Sequence, residues 1–232
     1  KLSVTEFATG NAENFTKLND ISKEFENDLI VGIGVNNSAA YSNDTVIGGN
    51  STDRALMTFL AEEKATELIN KENVEKFNAF DSSKKYSSVE VMNKGKVVTY
   101  IKGAPEKIIE KCTSYVDKSG QIHELSNKEP LTNYIDTQAK RSMRLLAVAK
   151  VEGTDDEKDL TLLCVISIRD NVRKEAVDAI KEVQNAGIQV VMVTGDRKET
   201  AVAIAKEAGL LLNDDDVALT SAEMAEKKRR RA

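Results

Sequence analysis

Residues 187–209 read GIQVVMVTGDRKETAVAIAKEAG. A glycine able to end a helix precedes a short, β-branched apolar run at 188–193. The run is too brief to favour a helix and suits a buried parallel strand. Thr194, Gly195 and Asp196 follow, and then an amphipathic helix closed by Gly209. Asp196 is a good helix N-cap, with Glu199 three residues on in the capping-box position. A strand that runs straight into a helix N-terminus gathers a hydroxyl, a glycine backbone and unpaired N–H groups, a setting that binds phosphate. The same residues also read as a turn with a cap, and the motif alone does not separate the two.

The sequence just upstream bears on that choice. Residues 160–168 form a nearly all-apolar run ending in Arg169-Asp170-Asn171-Val172-Arg173, and Val172, Ala176, Val177, Ile180 and Val183 then recur on one helical face up to Gly187. Residues 160–210 therefore read strand, helix, strand, helix. The expected form is two parallel strands joined by a right-handed crossover, with ligand-facing residues at their carboxyl ends. Asp170 and Thr194-Gly195-Asp196 both fall there, which strengthens the phosphate reading.

Upstream of residue 160 the pattern differs. A short strand at 2–7 leads to an acidic helix with Phe15, Leu18, Ile21 and Phe25 at helical spacing. Residues 36–50, rich in Asn, Ser and Gly, read as a loop. They deliver Ser51-Thr52-Asp53 to a helix in whose first turn Asp53 complements the helix dipole. From Val74 strands take over: 77–80, then 86–92 and 96–101 paired across Asn93-Lys94-Gly95 as a hairpin. Lys102-Gly103-Ala104-Pro105-Glu106 follows; Gly103 permits close approach of a ligand to the backbone, and Pro105 suits the first turn of a helix over 105–112. A helix at 132–143 and a strand at 144–149 precede a charged break at 153–159, where a hinge is expected.

Composition excludes several function classes. A net charge of −5 implies no attraction to nucleic acid, and no apolar run approaches the ~20 residues of a membrane helix. The start lacks the apolar segment of a signal peptide. Cys112, expected at a helix end, and Cys164, in a strand, lack metal-ligand spacing and read as reduced core thiols of a cytosolic, soluble chain. The terminal KKRRRA reads as a tail, a scar or a junction. No P-loop and no G-x-G-x-x-G after a strand occurs. The one histidine, His123, sits in a polar loop without triad or metal partners. What remains is Lys85, Lys102, Arg144 and Arg173 near strand ends, together with Phe80. Such a set can hold a polyphosphate by charge and a base by stacking; singly, each also reads as an ordinary surface or core residue.

Taken in order, these stretches resemble the large cytoplasmic loop of P-type cation-transporting ATPases. Gly49-Asn50-Ser51-Thr52-Asp53-Arg54-Ala55-Leu56 is similar to the family's acidic segment. Phe80-Asp81-Ser82-Ser83-Lys84-Lys85 is similar to its phenylalanine motif, and Lys102 to Glu106 is K-G-A-P-E. Arg144-Leu145-Leu146-Ala147-Val148-Ala149 and Asp170-Asn171-Val172-Arg173 come next, the latter at the D-P-P-R position. Val193-Thr194-Gly195-Asp196 carries T-G-D. The resemblance reaches to about Leu212.

The resemblance implies an α/β (α+β) chain. Residues 1–168 would be an antiparallel-sheet nucleotide-binding domain with flanking helices. Residues 169–232 would be part of a haloacid-dehalogenase-like, Rossmannoid phosphorylation domain with parallel strands, without the D-K-T-G-T and G-D-G-x-N-D segments. Within a pump of the calcium-transporting type, ATP with Mg2+ would phosphorylate an aspartate supplied by other sequence, at the cytoplasmic face of a membrane. The partners implied are ATP and the rest of the pump, its membrane and actuator domains; this chain alone would bind nucleotide with little turnover and hold no metal itself. Phe80 would stack on adenine, and Asp53 would lie beside its amine. Lys102, Gly103 and Lys85 would line the pocket, and Arg144 would reach the phosphates. Thr194, Gly195 and Asp196 would support the phosphoryl group, with Asp170 and Arg173 on the hinge side. The sequence departs from the pattern at Asn171-Val172, which replace two prolines, and at Ser82, where some members carry a phosphate-binding arginine. Asn50 stands at a commonly acidic position, and Arg197 where asparagine is common. A phosphatase of the haloacid-dehalogenase type with a large cap is the alternative, although no D-x-D nucleophile is found; a non-catalytic interaction module is the third reading.

Overall fold

The computed structural model describes residues 2–70, 73–194, 198–213 and 215–229, without the side chains of residues 199, 200 and 227–229. The chain divides into two compact units, one over Leu2–Arg169 and the other from Asp170 onward.

The first unit is built on a nine-stranded, mostly antiparallel sheet. In chain order its elements are β1 (Leu2–Ala8), β2 (Asn14–Phe15), α1 (Lys23–Ile30), β3 (Ala39–Ser42), β4 (Thr45–Gly48), α2 (Ser51–Glu62) and α3 (Thr66–Ile69). Then follow β5 (Val74–Asp81), β6 (Tyr86–Asn93), β7 (Lys96–Gly103), α4 (Pro105–Ile109), β8 (Cys112–Val116), β9 (Ile122–Glu124), α5 (Glu129–Lys140), β10 (Arg144–Glu152) and β11 (Leu160–Asp170). The sheet runs β2-β1-β11-β10-β7-β6-β5, with β8 pairing β11 and β9.

Period-two alternation decides what the sheet buries. Val89, Tyr100, Val148 and Ile166 belong to one core with Phe25 and Leu29 of α1 and Leu56 and Leu60 of α2. Ile101, Ala147, Ala149 and Val165, one residue out of phase, belong to a second core with Ile108 of α4 and Leu131 of α5. Helices thus cover both faces. The β6–β7 hairpin forms as expected, with Lys94 and Gly95 at φ of +49° and +79° in the turn.

Several expectations are corrected. The helix anticipated through Phe15 begins at Lys23, because Asp20 accepts the amides of Thr16 and Lys17 and so bends the chain away from a helix. Phe15 is buried all the same, its ring stacked on Phe7 at 4.9 Å. The expected loop at 36–50 holds the β3–β4 hairpin, turned by Asn43 and Asp44, both at positive φ. Cys112 opens β8 rather than ending a helix. Both cysteines are buried and free, and burial pushes the Cys112 thiol up to about 12 and Cys164 higher still.

The parallel sheet is also corrected. β11 lies between β1 and β10, antiparallel to β10, with Arg144 opposite Ile168; its parallel partner is β8. Residues 188–193 form no strand, and among the described residues the second unit holds three helices, α6 (Lys174–Asn185), α7 (Lys198–Glu207) and α8 (Ser221–Arg229). An extended segment becomes a strand only with a ladder partner, and β11, its expected neighbour, spends its hydrogen bonds elsewhere in the large sheet. Val191 and Val193 are accordingly exposed. α6 ends at Asn185, and Gly187, the expected stop, follows its C-cap with a positive φ.

Candidate nucleotide site

Five neighbouring strands bring their ends to one edge of the sheet: the carboxyl ends of β5, β7 and β11 and the amino ends of β6 and β10. Phe80, Lys102 with Gly103, and Arg144 lie on three of those ends, with Ser82 and Lys85 in the turn from β5 to β6.

Lys102 stands at the centre. It is 4 % exposed, and its ammonium donates to Asp53 Oδ1 and to the Asn36 carbonyl, both at 2.6 Å. Asp53 is 7 % exposed at the first turn of α2, where Asn50 caps its amide at 2.9 Å. Its second oxygen accepts Ser38 N at 3.0 Å, the Ser38 hydroxyl, and Asn50 Nδ2 at 3.2 Å. Burial alone would raise the Asp53 carboxyl; the Lys102 charge and the Ser38 donors outweigh it and hold the group below the usual carboxylate range. Burial draws the Lys102 ammonium down, with Asp53 opposing.

Asn36 reaches Lys102 because 31–35, sequence VGIGV, winds as a single π-helical turn, with the Asn36 amide bonded to Val31 O. Such turns often mark functional sites. Asn36 is fully buried and donates to the carbonyls of Ser87 and Tyr100. Among the described residues its Oδ1 is the buried side-chain polar atom left without a partner. Asn36, Ser38 and the capping role of Asn50 were not found from sequence, since an Asn- and Ser-rich stretch looks alike whether it is loop or site.

Phe80 lies at the end of the outermost strand, 59 % exposed, beside a β-bulge that sets Ala79 and Phe80 opposite Ser87. Ser87 pairs with Lys102. Phe80 and Lys102 are thus two strands apart, about 10 Å by strand spacing. Of six phenylalanines, Phe7, Phe15, Phe25 and Phe59 are buried; Phe77 and Phe80, both on β5, are exposed.

The β5–β6 turn is shaped by Asp81, whose carboxylate accepts the Ser83 amide and hydroxyl and the Lys84 amide. Ser82 and Lys85 are exposed, and Lys85 adopts φ +64°. The Lys85 carbonyl accepts Ala104 N. A Cβ on Gly103 would lie 2.2 Å from that carbonyl. The glycine of K-G-A-P-E thus gives room to its own chain at this crossing.

Arg144 Nη1 donates to Thr52 Oγ1 at 2.8 Å, so β10 and the start of α2 meet at this edge. In the second unit Arg173 precedes α6 and Thr194 is exposed, while Gly195 and Asp196 lie outside the described residues. Asp170 is the last residue of β11. Among the described residues no group of three His, Cys, Asp or Glu forms a metal cluster, and no helix is long and apolar enough to cross a membrane.

Residues 25–175 match the family model described as P-type ATPase, cytoplasmic domain N. The chain is similar to calcium-transporting ATPase 7, plasma membrane-type, of Oryza sativa subsp. japonica, 38 % identical over 212 residues, covering 82 % of this chain and 20 % of that protein. It is similar to calcium-transporting ATPase 1 of Saccharomyces cerevisiae, 27 % identical over 230 residues, 94 % of this chain and 24 % of that protein. Plasma membrane calcium-transporting ATPase 4 of Homo sapiens is 33 % identical over 187 residues, 72 % of this chain and 15 % of that protein. The chain spans about a fifth of the length of such relatives. With the matched residues running from α1 through β11 and past its end, the chain belongs to the P-type ATPase family and carries its cytoplasmic domain N.

Proposed function

We propose that this chain binds ATP within a calcium-transporting P-type ATPase and presents the γ-phosphoryl group to an aspartate outside these 232 residues. The observation that carries the reading is the gathering of Phe80, Lys85, Lys102 and Arg144 at one sheet edge, with an aromatic ring left in water two strands from a buried lysine.

The adenine would stack on Phe80, since a π-face in water is a platform for a base. Ser82, Lys85 and Arg144, all exposed, would meet the phosphates, Lys85 and Arg144 neutralising their charge. Lys102 and Asp53 would act together: the carboxylate already accepts four donors, so its first service is to hold Lys102 and the start of α2 in register beneath the base. Gly103 would fix the β6–β7 crossing beside them. Thr194, Gly195 and Asp196 would hold the transferred phosphoryl group in the second unit, with Asp170 and Arg173 near the nucleotide. Mg2+ enters as the counter-ion of the substrate. Phosphoryl transfer depends on positioning and charge neutralisation, which such residues supply. Without the acceptor aspartate the 232-residue chain would bind nucleotide with little turnover, and the whole pump would be an ATP-driven ion translocase.

The test is titration with a fluorescent ATP analogue. Phe80→Ala is expected to weaken binding by about 1–3 kcal/mol, the worth of one base–aromatic stack, and Arg144→Ala to weaken ATP more than adenosine. No binding by the parent chain, or equal binding by all three proteins, removes the proposed site.

A further inference from the structure

All four residues of the turn that carries Ser82 and Lys85 are exposed. The turn is anchored from behind by Tyr86, the first residue of β6, which is 3 % exposed and opposite both Asp81 and Gly103. Tyr86 belongs to the core on the α4–α5 face, whereas Ser87 and Lys102 face the other way.

Charged side chains from three separate segments converge on this one phenol ring, with Asp156 beside Glu157 also acting on the hydroxyl. The hydroxyl donates to Glu157 Oε1 at 2.9 Å, and Glu157 Oε2 accepts the Lys111 ammonium at 2.6 Å. Lys111 lies 4.9 Å above the ring and Lys84, from the turn itself, 5.7 Å; Lys84 is also 3.9 Å from Glu157. Glu157 comes from the β10–β11 connection, and Lys111 follows α4. Cation–π contacts and a charge-assisted hydrogen bond each restrict the ring more than apolar packing would. The bonds from Lys111 and Tyr86 hold the Glu157 carboxyl below its ordinary range, so it is anionic at neutral pH.

We infer that Glu157 is a positioning residue for nucleotide binding, acting through Tyr86 on the β5–β6 turn, and so on Ser82 and Lys85. The role rests on the nucleotide reading above. Glu157 itself is exposed, and it reaches the phenol of Tyr86, whose ring belongs to the core on the α4–α5 face. Its removal therefore loosens the phosphate side of the site and leaves the base platform and the core in place.

The experiment measures ATP and adenosine affinity, thermal midpoint, and amide hydrogen exchange at 83–85 in the 232-residue chain and its variants. Glu157→Ala and Tyr86→Phe are expected to weaken ATP roughly two- to thirtyfold, the range of coupling through a contact network, to speed exchange in the turn, and to leave adenosine unchanged. Glu157→Gln keeps an acceptor for the phenol and restores most of the ATP affinity. Lys85→Ala weakens ATP with turn exchange as in the parent. Parent-like ATP affinity in Glu157→Ala, while Lys85→Ala is weakened, overturns the role. So does equal loss of ATP and adenosine with a lowered midpoint, which marks general loosening. Failure of the parent to bind ATP overturns the nucleotide reading and this role with it, and is told apart because no variant need be compared.

Discussion

Lys102 and Asp53 are 49 residues apart in sequence and 2.6 Å apart in space, both nearly out of water. Such a pair is favourable only with its remaining hydrogen bonds filled. Asn36, Ser38 and Asn50 fill them. Asn50 does two things a carboxylate at that position could not do together: its oxygen caps α2, and its amide donates to Asp53. Lys102→Met would leave the Asp53 charge buried and unpaired, at a cost of about 3–5 kcal/mol read from the urea midpoint; Lys102→Met with Asp53→Asn is expected to recover part of it. Phe80→Ala, by contrast, removes an exposed ring and is expected to change stability by no more than about 0.5 kcal/mol. A midpoint unmoved by Lys102→Met would show that the pair adds nothing to the fold.

Among the elements, the β8–β9 hairpin shows how a turn is secured without a core. Asp117 accepts the Ser119 hydroxyl at 2.6 Å, His123 Nε2 at 2.6 Å, and the amides of Ser119 and Gln121. The Ser119 hydroxyl first, and then His123, hold its carboxyl down at about 2 against an ordinary 3.8. A carboxyl lowered by folding contributes stability that is present above its unfolded value and disappears as pH falls through its folded value. The hairpin is therefore expected to keep its turn at about pH 5 and lose it as pH drops from 3.8 to about 2. The Ser119 and Gln121 amide shifts should titrate with a midpoint near 2; a midpoint near 3.8 would mean that these bonds do not persist in solution. The turn also reaches α1, since Lys118 O accepts the amide of its N-cap, Ser22.

For the whole molecule, the sheet of the first unit closes within 2–169, with helices on both faces and every central strand paired. The second unit keeps Ile188, Val191, Val193 and Leu212 exposed. A chain of residues 2–169 is thus expected to retain the main calorimetric transition within about 4 °C, the shift worth about 1 kcal/mol at this size, and to bind ATP through the Phe80 edge. A shortened chain that melts much lower would show that the residues after 169 complete the first core.

By itself the sequence determined the features governed by short-range chemistry. The turn at Lys94-Gly95 and the strands at 86–92, 96–101 and 144–149 were legible in it, as were the glycine stop at Gly187 and the motif residues of the candidate edge, because turn residues and short β-rich runs act over a few positions. The family too was visible in the order of those motifs. Tertiary structure alone decided which strands paired and which charges met. The apolar run at 160–168 suited either a parallel or an antiparallel neighbour, and only competition for its backbone hydrogen bonds placed it between β1 and β10. Nothing local to Asn36 or Ser38 marks them as partners of Lys102 and Asp53. Their meeting follows from a π-helical turn packed against the sheet, a contact between residues far apart in the chain whose geometry no periodicity encodes.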